Sequence, residues 1–268
     1  IVNMEGTLTD ETAREAKTFA FKAPAEYASI LSGSSIEAAN LANNHSHDYG
    51  DQSYEDTIQY LEAAGITTFG YDRTAVMDVK GIKVGLIGIY ELKDGIGRQQ
   101  QVIDTIQEVK NQGAQVIIVS FHWGTEKSNI PDDAQKTLAH LAIDQGADLV
   151  VGHHPHVLQG IEKYQGKNIV YSLGNFWFND KDLYSGMLAL TLLVPGDGSG
   201  GDGEVLAYLP GASTVLGAVI GTWPKVILVP PRGGTEGGWD ALEGAPESLR
   251  GRTPSGWLAG GSDRSHQR

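Results

Sequence analysis

Three apolar runs in this chain each stop on residues that bind metals. Residues 34–42 deliver Asn43-Asn44-His45, residues 114–121 deliver His122-Trp123-Gly124, and residues 147–151 deliver Gly152-His153-His154-Pro155-His156. Runs of this length and character suit buried strands of a mostly parallel sheet. In open α/β sheets, ligands gather in the crevice beyond the carboxyl ends of the strands, so three such ends in one domain predict one shared site. The third run carries three of the chain's 8 histidines within four positions, and imidazole is the commonest protein ligand for zinc, iron and similar ions.

Helical segments alternate with these runs. The pattern predicts helices over 24–31, with proline in the first turn, and over 51–64, 99–112 and 131–145, stopped by Gly65, Gly113 and Gly146. A further strand is expected over 83–90. After the histidine cluster the texture changes to strands alone, over 157–164, 168–173 and 187–194, separated by turn signals such as Gln165-Gly166-Lys167. Together these elements predict an α/β domain with packed sheets over residues 1–194. Residues 195–268 differ, with aperiodic runs such as Gly198-Ser199-Gly200-Gly201 and Pro230-Pro231-Arg232-Gly233-Gly234. That composition predicts a poorly ordered or non-native tail without a catalytic role, where 205–209 and 215–229 are the remaining strand candidates.

Composition narrows the chemistry. The chain has 268 residues and 0 cysteines, which excludes disulfides, iron–sulfur clusters and thiolate zinc sites and leaves His, Asn, Asp and Glu as ligands. A formal charge of -13 argues against nonspecific nucleic-acid binding, which needs a basic surface. The same charge repels an anionic substrate unless bound cations reverse the local field. No signal peptide and no run of about 18 apolar residues is present; the longest candidate, 215–229, is interrupted by Pro224 and Lys225. Ile1-Val2-Asn3-Met4-Glu5-Gly6 reads as the finish of a strand whose beginning lies upstream, so a fragment or processed product is expected.

Each candidate residue also has a plainer reading. Asn43-Asn44 alone is more often a turn pair than a ligand, and His45 alone is as readily a cap or a buried histidine. His47 reads as structural or substrate-facing, Asp48 as a loop residue or helix-entry cap, Trp123 as packing, and His140 as an ordinary helix residue. Glu126 has two readings, a partner that orients His122 and a solvated loop carboxylate. Asn175, at another strand end, reads equally as a site neighbour and as a turn.

The motifs in order settle the balance. Asn3-Met4-Glu5-Gly6 with Leu8-Thr9-Asp10, Ala42-Asn43-Asn44-His45 with Asp48 and Gly50, His122-Trp123-Gly124 with Glu126, Gly152-His153-His154-Pro155-His156-Val157, and Tyr171-Ser172-Leu173-Gly174-Asn175-Phe176 resemble the CapA-type capsule (poly-γ-glutamate) synthesis proteins. That family belongs to the calcineurin-like metallophosphoesterase superfamily, and the resemblance covers residues 1–194. It implies a four-layer αββα metallophosphoesterase-like sandwich with two metals at the strand ends. Carried over by position, Glu5 is the carboxylate near or between the metals, Asn44 binds through its side-chain oxygen, and His122 binds one metal. His154 and His156 divide between the two, His153 is the weaker match, and His45 is the general acid. The family opens with a Gly-Asp strand whose aspartate is a ligand, which here would lie upstream of Ile1.

The chemistry also stands without the family. Two cations about 3.5–4 Å apart lower the pKa of a shared water and clamp both oxygens of an in-line displacement at phosphorus. Oxygen ligands such as Glu5 and Asn44 beside imidazoles suit Mn, Fe or Zn better than copper. The expected activity is hydrolysis of a phosphate ester or related anionic linkage. The alternative is a non-catalytic, polymer-binding or scaffold subunit of a poly-γ-glutamate synthesis or export complex. A TIM-barrel hydrolase, which also uses His-x-His, fits less well because its pair sits on the first strand. The resemblance further implies an extracytoplasmic protein, attached to the membrane through an upstream anchor, with synthase subunits as partners.

Overall fold

The computed structural model describes residues 1–176, 186–190, 205–209 and 226–228. Along the chain run β1 (Val2–Asn3), β2 (Thr7–Leu8), β3 (Lys22–Ala23), α1 (Ala28–Gly33), β4 (Ala38–Asn40), α2 (Gly50–Ala63) and β5 (Thr67–Phe69). Then come β6 (Ala75–Val79), β7 (Ile82–Tyr90), α3 (Gln99–Asn111), β8 (Val116–His122), α4 (Asp133–Asp144), β9 (Leu149–His153), β10 (Ile161–Tyr164) and β11 (Lys167–Val170). Contacts between Cα atoms divide the chain into two units, Ile1–Phe178 and Asn179–Arg268.

The first unit is an α/β fold with two principal sheets. One has three parallel strands in the order β1-β4-β5, and the other has six in the order β10-β11-β9-β8-β7-β6. In the larger sheet β7, β8, β9 and β11 run parallel, and β6 and β10 are antiparallel strands at its edges. Strands β2 and β3 form a separate parallel pair.

Side chains alternate across each strand, and the alternation separates core from site. On β7 and β8, Ile87, Ile89, Ile117, Val119 and Phe121 join Val102 and Ile106 of α3 and Leu138 and Ala142 of α4 in one apolar core. On β4, Ala39 joins Leu41, Leu8, and Ile58 and Leu61 of α2 in a second core. The residues between them in sequence point the other way: Asn40 of β4 donates from Nδ2 to Ser120 Oγ of β8 at 3.2 Å, joining the two sheets. Asn40 Nδ2 also reaches Asn3 Oδ1 at 3.1 Å, and its Oδ1 accepts the Ala42 N–H at 3.1 Å. Gly88 makes this approach possible, because a Cβ there would strike Asn40 Oδ1 and stand 2.7 Å from the Gly70 Cα.

The helices expected over 51–64, 99–112 and 131–145 form within a residue or two of those bounds. Helix α4 begins later than its proline because Asp132 makes a capping box with Gln135, satisfying the first free amides. Residues 24–31 give a 3-10 turn, Ala25–Tyr27, and then α1. The strand expected over 34–42 contracts to Ala38–Asn40, since Ser35 adopts φ 57 in the preceding turn. The strand expected over 157–164 begins only at Ile161, and 168–173 becomes Lys167–Val170. The strand end expected at residues 1–6 is β1; strands β2, β3, β5 and β6 carried no sequence signal, the first three having two or three residues and β6 being a half-exposed edge. Among the described residues no helix is long and apolar enough to cross a membrane.

The second unit contains β12 (Met187–Leu190), β13 (Val205–Leu209) and β14 (Val226–Leu228), with β12 antiparallel and β14 parallel to β13. The strand expected over 205–209 matches β13. The expected boundary after residue 194, and most of the expected tail over 195–268, lie outside the described residues.

Candidate metal centre

The parallel strands bring their carboxyl ends to a common edge. Strand β1 leads to Asn3 and Glu5, β4 to Asn43, Asn44 and His45, β8 ends at His122, and β9 ends at His153. His122 is fully buried and joins the two sheets' loops, its Nε2 lying 2.8 Å from Asn44 Oδ1. Since an amide oxygen only accepts, the ring hydrogen sits on Nε2 and Nδ1 is the acceptor. Asn3 Nδ2 lies 3.4 Å from that Nδ1 and donates to Glu5 Oε1 at 2.9 Å; Glu5 Oε1 is itself 3.8 Å from Nδ1.

The closing histidines lie against this group. The ring of His154 stands 4.8 Å from that of His122, and the ring of His156 stands 5.6 Å from that of His154. His156 Nδ1 meets Asn175 Oδ1 at 2.6 Å. The Nδ1 of His154 is buried without a hydrogen-bond partner among the described residues. An unsatisfied buried polar atom costs about 1–3 kcal/mol, so its persistence calls for a ligand or a functional reason. Both residues hold a left-handed backbone, φ 96 at His154 and φ 58 at His156, the kind of local strain that accumulates at functional sites.

Burial favours the neutral imidazole at His122, His153 and His154. Burial, and then the neighbouring His154, His153 and His156, hold His122 well below its ordinary pKa. Burial followed by His156 pushes His154 down to about 4, and burial alone brings His153 to about 4. Neutral imidazole is the form that binds a metal. Burial raises the pKa of Glu5, against the opposing pull of His156 and His45.

His45 sits beside this group on its own support. Its Nδ1 lies 2.9 Å from Asp48 Oδ2, and its ring packs 4.6 Å from that of Phe21. Asp48 is fully buried, paired with Lys17 Nζ, and accepts the Phe21 N–H at 2.6 Å. Burial pushes its carboxyl up, but the bonds from His45, Lys17 and Phe21 outweigh burial and hold the pKa below the ordinary value. Lys17 Nζ also donates to the backbone oxygen of Asn44 at 2.7 Å, so one ammonium ties the Asp48 carboxylate to the Asn44 loop.

A family model described as "Bacterial capsule synthesis protein PGA_cap" matches residues 1–180. The chain belongs to the PGA_cap family. "PGA biosynthesis protein CapA" of Bacillus subtilis (strain 168) is 35% identical over 177 residues, covering 58% of this chain and 46% of that protein. "Capsule biosynthesis protein CapA" of Bacillus anthracis is 34% identical over 162 residues, covering 52% and 39%. A "Probable polyglutamine synthesis accessory protein" of Mycobacterium tuberculosis (strain ATCC 25618 / H37Rv) is 27% identical over 207 residues, covering 65% and 54%. The match thus spans less than half the length of the two Bacillus proteins.

Within this PGA_cap chain the structure brings Glu5, Asn44 and His122 into one group, with His154 and His156 adjoining through the His122 ring. Asp48 lies in the turn before α2, as its loop reading expects, but does not cap the helix, which starts after Tyr49 without a side-chain cap; it is the buried partner of His45. Its spacing, His45-x-x-Asp48, was the available signal. Lys17 had no signal, since its role depends on pairing across the fold, and Asn3 was visible only as part of the Asn3-Met4-Glu5-Gly6 motif. Glu126 lies with His154 and His156, the three ligand atoms within 4.8 Å of one another. Asn175 touches the site through His156. Trp123 is packing, stacked 4.2 Å from Phe121 with its Nε1 on Tyr171 O at 2.9 Å. His47 stacks 4.5 Å from Tyr54. His140 stacks 3.9 Å from Tyr164 and bonds Glu162 at 2.8 Å, away from the centre.

Proposed function

We propose that this chain is a metal-dependent, phosphoesterase-like hydrolase acting in capsule or poly-γ-glutamate synthesis on a phosphate ester or related anionic linkage. The buried, unpartnered Nδ1 of His154 beside the rings of His122 and His156 carries this reading. Neutral imidazoles converging with a carboxylate and an amide oxygen, in a chain without thiols, fit a site for Mn, Fe or Zn. The four-layer αββα, metallophosphoesterase-like arrangement is part of the proposal. It is supported by two apolar cores, each pairing helices with one sheet, and by the Asn40–Ser120 bond between the sheets.

Glu5, Asn44, His122, His154 and His156 would hold two divalent cations. When bound, such cations supply Lewis acidity and a nucleophile of lowered pKa near neutral pH. The chain's own groups do the rest. Ionised Asp48 can only accept, so it keeps a His45 proton on Nδ1 and orients the ring with Nε2 toward the substrate side. His45 then gives the proton on Nε2 to the leaving-group oxygen as the ester bond breaks. Neutral His122 and His154 add no charge of their own, so the field at the centre is set by Glu5, Glu126 and the cations that balance them.

A second reading, a polymer-binding subunit without turnover, is favoured by the word "accessory" in the name of the mycobacterial relative. Partnership with synthase subunits and an extracytoplasmic, membrane-associated setting belong to either reading. One experiment separates them. The purified chain is loaded with Mn2+ and assayed for hydrolysis of an alkyl phosphate ester, whose leaving group needs a proton, and for retention of labelled poly-γ-glutamate. Turnover that disappears in His45→Asn with metal retained supports the hydrolase. Metal and polymer binding without turnover supports the subunit, and no metal binding overturns the centre itself.

A further inference from the structure

We propose that Glu126 is itself a cation ligand, closing with His154 and His156 a two-histidine, one-carboxylate position for a divalent transition metal. This rests on the metal-centre reading above and deepens it, because the position-by-position family comparison gave Glu126 no ligand role.

The argument begins with the backbone. The loop after β8 is fixed to the loop after β9 at both ends of the Glu126 segment: Trp123 N–H donates to His153 O at 3.1 Å, and Lys127 N–H donates to Pro155 O at 2.8 Å. A third bond, from Gly124 N–H to Glu91 Oε2 at 3.3 Å, anchors the bend between them. Two left-handed residues, Gly124 at φ 76 and Lys127 at φ 62, curve the segment. Gly124 has no room for a side chain, since a Cβ would lie 2.6 Å from Gln135 Oε1. A loop pinned this way holds its one carboxylate opposite residues 154 to 156, although Glu126 is exposed and lies outside any regular element.

The side chains then meet. One ligand atom from each of Glu126, His154 and His156 falls within 4.8 Å of the other two. His156 is oriented by Asn175 Oδ1 at 2.6 Å, an outer hydrogen bond of the kind that fixes ligating imidazoles. His154 contributes a buried nitrogen with no hydrogen-bond partner among the described residues, an independent sign that something else occupies its lone pair. Two imidazoles and one carboxylate are a recurrent donor set for Zn and non-haem Fe.

The test uses Co2+ alone as the probe, added to the metal-free full chain and to Glu126→Gln, Glu126→Asp and His154→Ala. Calorimetry gives affinity and the visible d–d bands report the coordination of the ion. Glu126→Gln is expected to weaken one Co2+ position by more than the about 10- to 100-fold that loss of a supporting partner costs, and to change its d–d spectrum. His154→Ala should remove the same equivalent, and Glu126→Asp should restore part of the affinity and the spectrum. Circular dichroism confirms that the variants fold. Wild-type affinity and an unchanged spectrum in Glu126→Gln overturn the role of Glu126 while leaving the centre intact. A wild-type chain that binds no Co2+ overturns the centre, and this proposal with it.

Discussion

The buried Asp48 carboxylate accepts the Nδ1 hydrogen of His45 at 2.9 Å, three residues further along the same turn. Two further donors, Lys17 and the Phe21 amide, help hold that carboxylate in its ionised form, so it orients the His45 ring. The segment from Lys17 to Phe21 therefore belongs to the site although it contributes no candidate metal ligand.

Asp48→Asn removes the charge and keeps the shape. If His45 is the general acid, the effect depends on how much the leaving group needs a proton. Turnover of an alkyl phosphate ester should fall by on the order of 10²-fold or more, and that of p-nitrophenyl phosphate, whose leaving group departs unaided, by about tenfold or less. Bound metal should be unchanged. Equal losses for both esters would mean that Asp48 acts on something other than proton transfer.

His122→Ala and His154→Ala should each lower bound Mn2+, measured by elemental analysis after gel filtration, from about two equivalents toward one. His45→Asn should leave the metal content unchanged, because His45 is held by Asp48 rather than aimed at the His154 group. Full metal content in both alanine variants would refute the assignment of ligands.

Much of this was legible in the sequence because the informative elements are long and locally determined. Helices α2, α3 and α4 stop at Gly65, Gly113 and Gly146, and β8 is an apolar strand whose alternation sends Ile117, Val119 and Phe121 to the core and Ser120 and His122 to the site. The strand-end histidines could therefore be located before any tertiary contact was known. Strands of two or three residues, such as β1 and β5, have no period to read, and their existence depends on pairing with β4. The partners of Asp48 and Asn40 were hidden for the same reason: Lys17 lies 31 residues from Asp48, and Ser120 lies 80 from Asn40. A side chain satisfied across the fold leaves no local trace. Glu126 was visible as part of a motif, but only the backbone bonds between two loops decide which histidines it faces.

Gly88→Ala tests the junction of the sheets. The added methyl would collide with Asn40 Oδ1 and press on Gly70, and Asn40 is bonded to Asn3, Ser120 and the Ala42 amide at once. Overpacking of this kind costs about 1–3 kcal/mol, to be read from the urea midpoint. Because Asn3 contacts both Glu5 and His122, the variant should also weaken Mn2+ binding. Loss of stability with unchanged Mn2+ affinity would separate the junction from the centre.

Acid should unfold the metal-free chain over a defined range. Burial, with His156 as the second cause, lowers His154 from 6.5 to about 4, and His122 lies well below 6.5 for the same primary reason. As pH falls below 6.5 the unfolded chain takes up protons that the folded chain refuses, so stability is lost progressively from 6.5 toward 4 and is constant above that range as far as these groups are concerned. At about 1.4 kcal/mol per unit, His154 alone accounts for on the order of 3 kcal/mol across the window. The urea midpoint should therefore hold steady from pH 8 to 7 and fall steeply between 6.5 and 4. His154→Gln should have a shallower slope. Added Mn2+ should raise the midpoint at pH 7 and lose its effect near pH 4.5, where protons compete for the same nitrogens. A midpoint that stays level from pH 7 to 5 would show that these imidazoles are not held neutral by the fold.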